Sequence, residues 1–544
     1  MRRCGLLTFW ILSVLPLKAQ MPSECLLIIN GRSLEAMQIA HTYAEARNFP
    51  AERILVLQPP VSFFRTANFA PRWTVPLAQA EKELLRPVLE RLKELNDPSP
   101  TALLLSPDWP TRVSVPDSPE LSITTYLSCA GNLPAGNLIK SGQALSPWFS
   151  EPPDTPQKNA NLLRYPLNRS IDPPFYPAAM LGVFYPPQSP ERIRKDLLRS
   201  IEGDTKMPVG SIVFETNADV RTRTRLAQYE RTADRLRERG IDVKMLSATD
   251  PLPKKIIGVM GGAAKMHTAR YRGKLQPGAY ADHLTSHAAT FDLTIQTKLT
   301  EWLDAGAAAS SGTVTEPYAI WTKFPEAAVF ERVLKGNTLL EALMQSVASP
   351  FQLLIVGDPL SRPWGEQMKK LDLKTEWKEG VLKVKAVGAP PSSSTAYHLF
   401  ADGKRIEGPG PEWQIPFNAE SIGPDLELIL HSRYLWAPPQ LGTVKKRITT
   451  PVPGKLRLRG SVKTDHVVLE TESEEPLLFL EIYRGVDQIH QLNPADRKNQ
   501  LTLGLNQSGT GPVTLRAKAV TRTGQILWSN SLQLIPTPPP PSAP

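Results

Sequence analysis

The chain has 544 residues, with 63 Lys and Arg against 53 Asp and Glu, a formal net charge of +10 and 41% hydrophobic residues. A chain of this length is expected to fold as about three or four domains. Because the basic residues are scattered among acidic ones and form no stripe, nucleic-acid binding is not indicated. Proline accounts for 54 residues, roughly double the usual share, and it gathers where connections between elements are expected.

The first residues, MRRCGLLTFWILSVLPLKAQ, have the layout of a secretory signal peptide. Arg2 and Arg3 precede an apolar run that extends from Cys4 to about Leu17. We expect residues 1–20 to be removed and the mature protein to be secreted, periplasmic or part of the cell envelope. The run is shorter than the roughly 20 residues that span a bilayer, and no later segment is long and uncharged enough, so no transmembrane segment is expected. A retained N-terminal anchor is the alternative.

Cysteine usage and short motifs limit the chemistry that the mature chain is expected to perform. Only Cys25 and Cys129 remain after residue 20, and the sequence leaves open whether they pair in a disulfide. No CxxC, HExxH or Cys/His cluster occurs, so no metal site is expected. No P-loop is present and no GxGxxG opens a helix, so no nucleotide or other cofactor is expected.

From Cys25 to about Pro363, short apolar runs such as CLLIIN, TALLLS, GSIVFE and QLLIVG alternate with helical patterns. Near-continuous apolar strands separated by helices indicate a parallel sheet that is covered on both faces. We therefore predict a doubly wound, mostly parallel α/β domain over residues 21–370, with a proline-rich insertion near 147–174. Ligands of such sheets bind beyond the carboxyl ends of the strands.

After about Leu371 the pattern changes to strands in which apolar and polar residues alternate, such as VLKVKAV. Short strands at this spacing favour β-sandwiches. HLFADGKRI and EIYRGVDQI look like corresponding hairpins, so we predict two immunoglobulin-like modules at residues 371–452 and 453–536 and a proline-rich tail at 537–544. Such modules usually act as spacers or binding surfaces.

Polar side chains gather where several of the predicted strands of the α/β domain end. We expect the runs at 307–314 and 353–357 to be central strands of one parallel sheet with AYADHLTS, so that their polar ends converge at a shared carboxyl edge. The candidate catalytic residues are Asp282, Thr285, Ser286, His287 and Glu316. The candidate ligand-binding residues are Asp108, Arg112, Ser310, Ser311, Thr313, Asp358 and Arg362.

Three interpretations of these residues stay open. Small hydroxyl residues at strand ends cap helices, and Asp358-Pro359 is typical of a turn, so the group can be structural. The same residues can line a ligand-binding crevice, or they can catalyse a reaction. Arg112 is suited either to a surface ion pair or to clamping a carboxylate. His267 lies in a loop and is a weaker candidate for a catalytic base.

Four longer stretches carry a resemblance to known proteins. LIINGRSLEAMQIAHTYAEARNFPAERILVL, PGAYADHLTSHAATF, LTEWLDAGAAASSGTVTEPY and LKGNTLLEALMQSVASPFQLLIVGDPLSRPW look like motifs of a family of exported bacterial proteins of unknown function. The resemblance covers roughly residues 22–366. More distantly, the order of these elements is similar to the gingipain-type, caspase-like cysteine peptidase domain, which implies a caspase-like α/β fold.

The resemblance also implies where a peptidase of that type would place its catalytic dyad. Caspase-like peptidases carry His-Gly at one strand end and a nucleophilic Cys at the next. Here the corresponding positions read Met260-Gly261-Gly262 and Thr285-Ser286, so the dyad is missing. We expect a degenerate, non-catalytic domain that binds a peptide, protein or glycan at the cell envelope. The alternative is a hydrolase that uses the Ser, Thr, acid and His groups between Asp282 and Glu316.

Overall fold

The structure is a computed structural model and describes residues 20–150, 175–388, 390, 392–416, 420–434, 439–493 and 495–535. The expected signal peptide, apart from Gln20, lies outside the described residues. Residues 151–174 of the proline-rich insertion and the predicted tail at 537–544 lie outside them too.

The first part of the chain alternates strands and helices, as the sequence predicts. Its strands are β1 (Cys25–Asn30), β2 (Ile54–Leu57), β3 (Thr74–Pro76), β4 (Ala102–Leu105), β5 (Arg112–Ser114), β6 (Leu121–Ser122), β7 (Ala178–Met180), β8 (Ser211–Glu215), β9 (Asp242–Leu246), β10 (Ile256–Gly262), β11 (Leu275–Leu284), β12 (Ala309–Thr313) and β13 (Leu353–Gly357). Its helices are α1 (Leu34–Arg47), α2 (Val61–Phe64), α3 (Leu77–Ala80), α4 (Arg86–Leu95), α5 (Ile123–Ser128), α6 (Gly136–Ser141), α7 (Pro190–Gly203), α8 (Val220–Glu238), α9 (Leu299–Ala305), α10 (Val329–Leu334) and α11 (Leu339–Ser346).

Local sequence accounts for these elements. The Ser33 side chain caps α1 by accepting from the Ala36 N–H, and Asn48 ends that helix in the left-handed region at φ 55°. In β1, alternate side chains enter two different cores: Leu27 faces one and Leu26 the other. A strand that is buried on both faces has a continuous apolar sequence, and CLLIIN of β1 has this pattern. None of the helices among the described residues is both long enough and apolar enough to cross a membrane.

Ten of these strands form one sheet in the order β2-β1-β4-β7-β13-β12-β11-β10-β8-β9. The five strands from β2 to β13 run parallel to one another, and so do the five from β12 to β9. The two halves meet at β12 and β13, which are antiparallel. A mostly parallel sheet with cores on both faces confirms the predicted doubly wound, mostly parallel α/β fold class.

The antiparallel contact between β12 and β13 corrects the expectation that both strands run parallel to β11. Thr313 at the end of β12 pairs with Leu353 at the start of β13, and Ala309 pairs with Gly357. The polar residues that follow β12 and those that follow β13 therefore lie at opposite ends of the strands of the sheet. Both strands are fully buried, and neither the small polar residues of β12 nor the apolar run of β13 carries a signal of strand direction.

The rest of the described chain forms β-sandwiches. Its elements are β14 (Glu366–Gln367), β15 (Asp372–Lys378), β16 (Val381–Val387), β17 (Thr395–Ala401), β18 (Lys404–Ile406), β19 (Glu412–Pro416), β20 (Asp425–Tyr434), β21 (Gln440–Thr449), β22 (Leu456–Val462), β23 (His466–Ser473), β24 (Leu477–Arg484), β25 (Asp487–Leu492), β26 (Lys498–Gly504), α12 (Leu505–Ser508), β27 (Val513–Thr521), β28 (Ile526–Trp528) and β29 (Leu532–Leu534).

Each sandwich has two sheets around its own core. In the first, β14-β21-β20-β17-β18 faces β15-β16-β19, and in the second, β22-β23-β26 faces β25-β24-β27-β28, with β29 added to β27. The two modules thus confirm the β-sandwich part of the predicted fold class.

Both sandwiches contact the α1 side of the α/β domain. Arg433 of the first sandwich pairs with Glu24 across 2.7 Å, and both side chains are buried. Thr510 of the second sandwich donates to the Leu34 carbonyl at 2.7 Å. Both modules therefore lie against the part of the α/β domain that contains β1 and α1.

Candidate functional site

The candidate catalytic residues lie around the carboxyl ends of β10, β11 and β12. These three strands are parallel neighbours, with Met260 opposite Asp282 and Tyr280 opposite Ala309. Asp282 and Glu316 are therefore at the same edge of the sheet, as expected for parallel strands.

Asp282 lies inside a buried polar network. Arg225 from α8 binds it with two hydrogen bonds of 2.9 and 3.0 Å, and both side chains are at most 2% exposed. The Tyr280 hydroxyl donates to the same carboxylate at 2.9 Å, and Ser311 donates at 3.3 Å. Burial alone would lower the pKa of Arg225, but the Asp282 carboxylate raises it above the ordinary value. The Asp282 carboxylate is therefore buried and hydrogen-bonded to Arg225, Tyr280 and Ser311, and a substrate cannot reach it.

His283, the neighbour of Asp282, is equally inaccessible. Its imidazole accepts a hydrogen bond of 2.9 Å from the indole of Trp302 in α9. Burial, followed by the charge of Arg225, lowers the pKa of His283 to about 3. The ring is therefore neutral at physiological pH and fills the core beneath the strand end.

The hydroxyl groups of the strand ends mostly support the local backbone. Thr285 donates to the Gln296 side chain at 2.7 Å, and Thr313 donates to the Thr285 and Ser286 carbonyls at 3.0 Å. Ser310 is fully buried, and no partner of its hydroxyl lies among the described residues. Thr285, Ser310, Ser311 and Thr313 thus lie inside the domain.

Ser286, His287 and Glu316 form an accessible group where two loops meet. The Ser286 hydroxyl donates to Glu316 Oε1 at 3.0 Å, and His287 Nε2 lies 3.9 Å from Glu316 Oε2. The Glu316 side chain is 44% exposed and that of His287 is 17% exposed. Burial lowers the pKa of His287, while the Glu316 charge opposes that shift.

The order of these three groups determines what they can do. In a Ser-His-acid triad the imidazole lies between the hydroxyl and the carboxylate, because it removes the hydroxyl proton. Here the carboxylate of Glu316 lies between Ser286 and His287. His287 Nδ1 is instead 3.2 Å from the Thr290 hydroxyl. Within the described ranges, no imidazole hydrogen-bonds to Ser286, Thr285 or Ser310.

Asp358 and Arg362 follow β13 and lie at the other end of the strands, away from Asp282 and Glu316. Tyr43 of α1 donates to Asp358 at 2.8 Å, and Arg47 bridges Asp358 and Asp204. The Arg362 guanidinium donates to the Gly336 carbonyl at 3.1 Å and to the Pro439 carbonyl at 2.6 Å. Burial lowers the pKa of Arg362 to about 10. These contacts tie α1, α7 and the first sandwich to the end of β13.

Asp108 and Arg112 follow β4 and are engaged in ion pairs. Arg65 binds the Asp108 carboxylate through both of its terminal nitrogens. Arg112 pairs with Asp292 and lies 3.4 Å from Glu120. His267 is exposed at the start of a short 3₁₀ turn.

The structure shows whether the two cysteines of the described chain form a disulfide. Cys25 and Cys129 do not pair, and both are buried free thiols. Burial raises the pKa of each thiol above its ordinary value, which disfavours the thiolate. The described residues contain no group of three or more His, Cys, Asp or Glu side chains suited to a metal ion.

Several side chains of this region have no sequence pattern that distinguishes them. Arg225 is one of six arginines in α8, and nothing in that helix marks it as the buried one. Tyr318 is exposed and has a positive φ of 59°, and Leu293 and Ile295 are also exposed in the loop after β11. The sequence TEPYAI shows only that an aromatic residue, Tyr318, lies two positions after Glu316.

No family model matches the chain, and no curated protein matches its sequence. Among solved structures, the chain is similar to the Arg specific cysteine proteinase gingipain R, with 12% identity and a TM-score of 0.42 over 80% of this chain and 99% of that one. It is also similar to the complex of Porphyromonas gingivalis RgpB pro- and mature domains, with 11% identity and a TM-score of 0.42 over 78% of this chain and 99% of that chain.

A shorter similarity involves SGBP-B of the Bacteroides ovatus mixed-linkage glucan utilization locus, with 12% identity and a TM-score of 0.19 over 28% of this chain and 40% of that one.

Proposed function

We propose that the chain is an exported cell-envelope protein whose caspase-like α/β domain binds a peptide or glycan without cleaving it. The β-sandwiches act as spacers that fix the position of this domain. The proposal rests on the side chains at the carboxyl ends of β10, β11 and β12, where a peptidase of this fold class would carry its reactive groups.

The observation that carries the proposal is the position of Glu316 between Ser286 and His287. With the carboxylate accepting from the serine at 3.0 Å, the imidazole is not placed to take the serine proton. The second acid of the region, Asp282, is neutralised by Arg225 and covered by Tyr280. The accessible groups are thus arranged to form hydrogen bonds with a ligand.

Binding is supported by the apolar side chains in the same two loops. Leu293, Ile295 and Tyr318 are 40%, 59% and 56% exposed, and the hydrogen bond from Ser286 to Glu316 joins the loops that carry them. Exposed apolar side chains beside polar ones are typical of interaction sites. The positive φ of Tyr318 is a strained conformation for an aromatic residue, and such conformations concentrate at ligand sites.

Binding to peptide and glycan arrays tests this surface. We expect Tyr318→Ala and Glu316→Gln to reduce binding of the retained ligands by about tenfold, a loss of roughly 1.4 kcal/mol. Matched controls are Leu478→Ala and Glu412→Gln, because both residues are exposed but belong to the β-sandwiches. If all four variants bind equally, or if the wild-type protein retains no array ligand, the proposed surface is wrong.

The alternative function is a hydrolase that uses Ser286 with Glu316 and His287. It is favoured by the fact that all three side chains meet at an accessible strand end. Peptide cleavage by the purified protein that disappears in Ser286→Ala, with folding retained, would establish this alternative and overturn the non-catalytic proposal.

A further inference from the structure

A groove lies between the α/β domain and the second sandwich, away from the loops around Glu316. It has a volume of about 430 Å³, within the range of about 300–1,000 Å³ that is typical of ligand sites. Leu55 and Val56 of β2 form one wall, and Gln488 and Ile489 of β25 form the other. Each wall is the terminal strand of its sheet.

The backbone of β2 has an open side that faces away from β1. The Leu57 carbonyl accepts from the Gly31 N–H at 2.8 Å, so the backbone groups of Leu57 point towards β1. Since the backbone groups of consecutive residues point to opposite sides of a strand, those of Val56 point to the open edge. Among the described residues, no backbone group of the sandwich hydrogen-bonds to Val56.

The opposite wall also has an unpaired position. In the pairing of β25 with β24, His490 lies opposite Ile482 and Gln488 lies opposite Tyr483, which leaves Ile489 without a cross-strand partner. A bulge of this kind interrupts the ladder and leaves the extra residue unpaired. Ile489 instead packs against the core of the second sandwich.

We propose that this groove binds an extended peptide segment that carries an acidic side chain. An extended chain that adds to β2 would satisfy the outward N–H and C=O of Val56, as in other cases of strand addition. Gln58, Gln488, Asn506 and Gln507 line the groove, and amide side chains can donate to and accept from a peptide backbone.

Charge selects the side chain of the bound peptide. Arg484 is close to Asp487, at 3.7 Å, and these two charges offset each other. Arg32 is exposed, and it forms no ion pair with any described residue. The groove therefore has one uncompensated positive charge, which favours a carboxylate. Its lining includes no aromatic side chain on which a sugar ring could stack, so a peptide fits it better than a glycan.

The test uses the full chain and an immobilised library of extended peptides, with each acidic member matched by its amide analogue. We expect the wild-type protein to retain acidic members, with affinity that falls as salt increases. Arg32→Gln should weaken the acidic members by about tenfold and leave the amide analogues unchanged. Tyr318→Ala should have no effect, which separates this groove from the loop surface proposed above.

Two further variants test the backbone contact. Val56→Pro removes the outward N–H and is tolerated at an edge strand when that N–H faces away from the sheet, so it should abolish binding, whereas Val56→Ile should retain it. If Val56→Pro fails to fold, Gln488→Glu serves instead, because Gln488 is exposed and lines the groove, so the substitution adds a negative charge there and should weaken binding of the acidic peptides. The proposal is overturned if the wild type retains no acidic peptide, if Arg32→Gln binds as the wild type does, or if Val56→Pro, once folded, still binds.

Discussion

The pair formed by Arg225 and Asp282 gives the sharpest test of the structural interpretation of the strand-end residues. Both side chains are nearly inaccessible, and the pair is completed by the hydroxyls of Tyr280 and Ser311. Arg225→Met would leave a carboxylate buried without its counter-charge, and Asp282→Leu would leave a buried guanidinium without its own.

Removing one partner of a buried ion pair costs about 3–5 kcal/mol, because the remaining charge has lost both water and its partner. We expect each single variant to lose about that much free energy of unfolding. The double variant Arg225→Met/Asp282→Leu should lose clearly less than the sum, since replacing a whole buried pair by apolar groups is often neutral. The matched control is Lys385→Met, whose exposed pair with Glu412 should contribute less than about 1 kcal/mol.

Denaturant unfolding gives the free energies, and hydrogen–deuterium exchange in α8 and β11 assigns the loss to the α/β domain. Exchange is needed because a chain with several domains need not unfold in one step. If Arg225→Met costs less than about 1 kcal/mol while ligand binding or activity changes, the pair serves function and our interpretation of Asp282 fails.

Three other predictions follow from buried charges and from the domain arrangement. Burial raises the pKa of Glu341 to about 8 from an ordinary value of 4.5. Between about pH 4.5 and 8 the carboxyl group is protonated in the folded state but not in the unfolded state, so the free energy of unfolding should fall as pH rises through this range. Urea unfolding across this range should show the fall in the wild type and not in Glu341→Gln. Arg433→Met should lower the melting temperature because it removes the cation that pairs with the buried Glu24 carboxylate. Lys385→Met, which breaks an exposed pair, should leave the melting temperature unchanged. Limited proteolysis should yield a stable α/β fragment and a β fragment because each part has its own core, and uniform degradation from one end would contradict this.

The sequence predicted those parts of the fold that depend on local patterns. In β16, the alternation of VLKVKAV matches the alternating burial of the strand, and in β1 a continuous apolar run matches burial on both faces. The direction of β13 was not predictable, because it is set by how the chain returns through α10 and α11. The separation of Asp358 from Glu316 followed from that direction and was missed for the same reason.

The candidate site was predictable as a location but not as a set of contacts. Strand ends with polar residues pointed to Ser286, His287 and Glu316, and β11 ends at Leu284, so two adjacent residues in the turn can both approach Glu316. That Asp282 would be neutralised by Arg225 depends on a tertiary contact between α8 and β11. A helix with six arginines gives no local reason to select one of them.

The last prediction concerns the thiols, since a caspase-like peptidase depends on a cysteine thiolate beside an imidazole. Cys25 lies in β1 and Cys129 follows α5, and both are buried with a raised pKa. We therefore expect an electrophilic thiol probe to label the folded protein only slowly and to label both residues rapidly after unfolding. Replacing both by Ser should leave binding unchanged, and any cleavage of a peptide library should be unchanged too. Rapid stoichiometric labelling of one cysteine in the folded protein, with matching loss of peptide cleavage, would show that this chain has a catalytic thiol and that Met260-Gly261-Gly262 and Thr285-Ser286 do not mark the reactive positions.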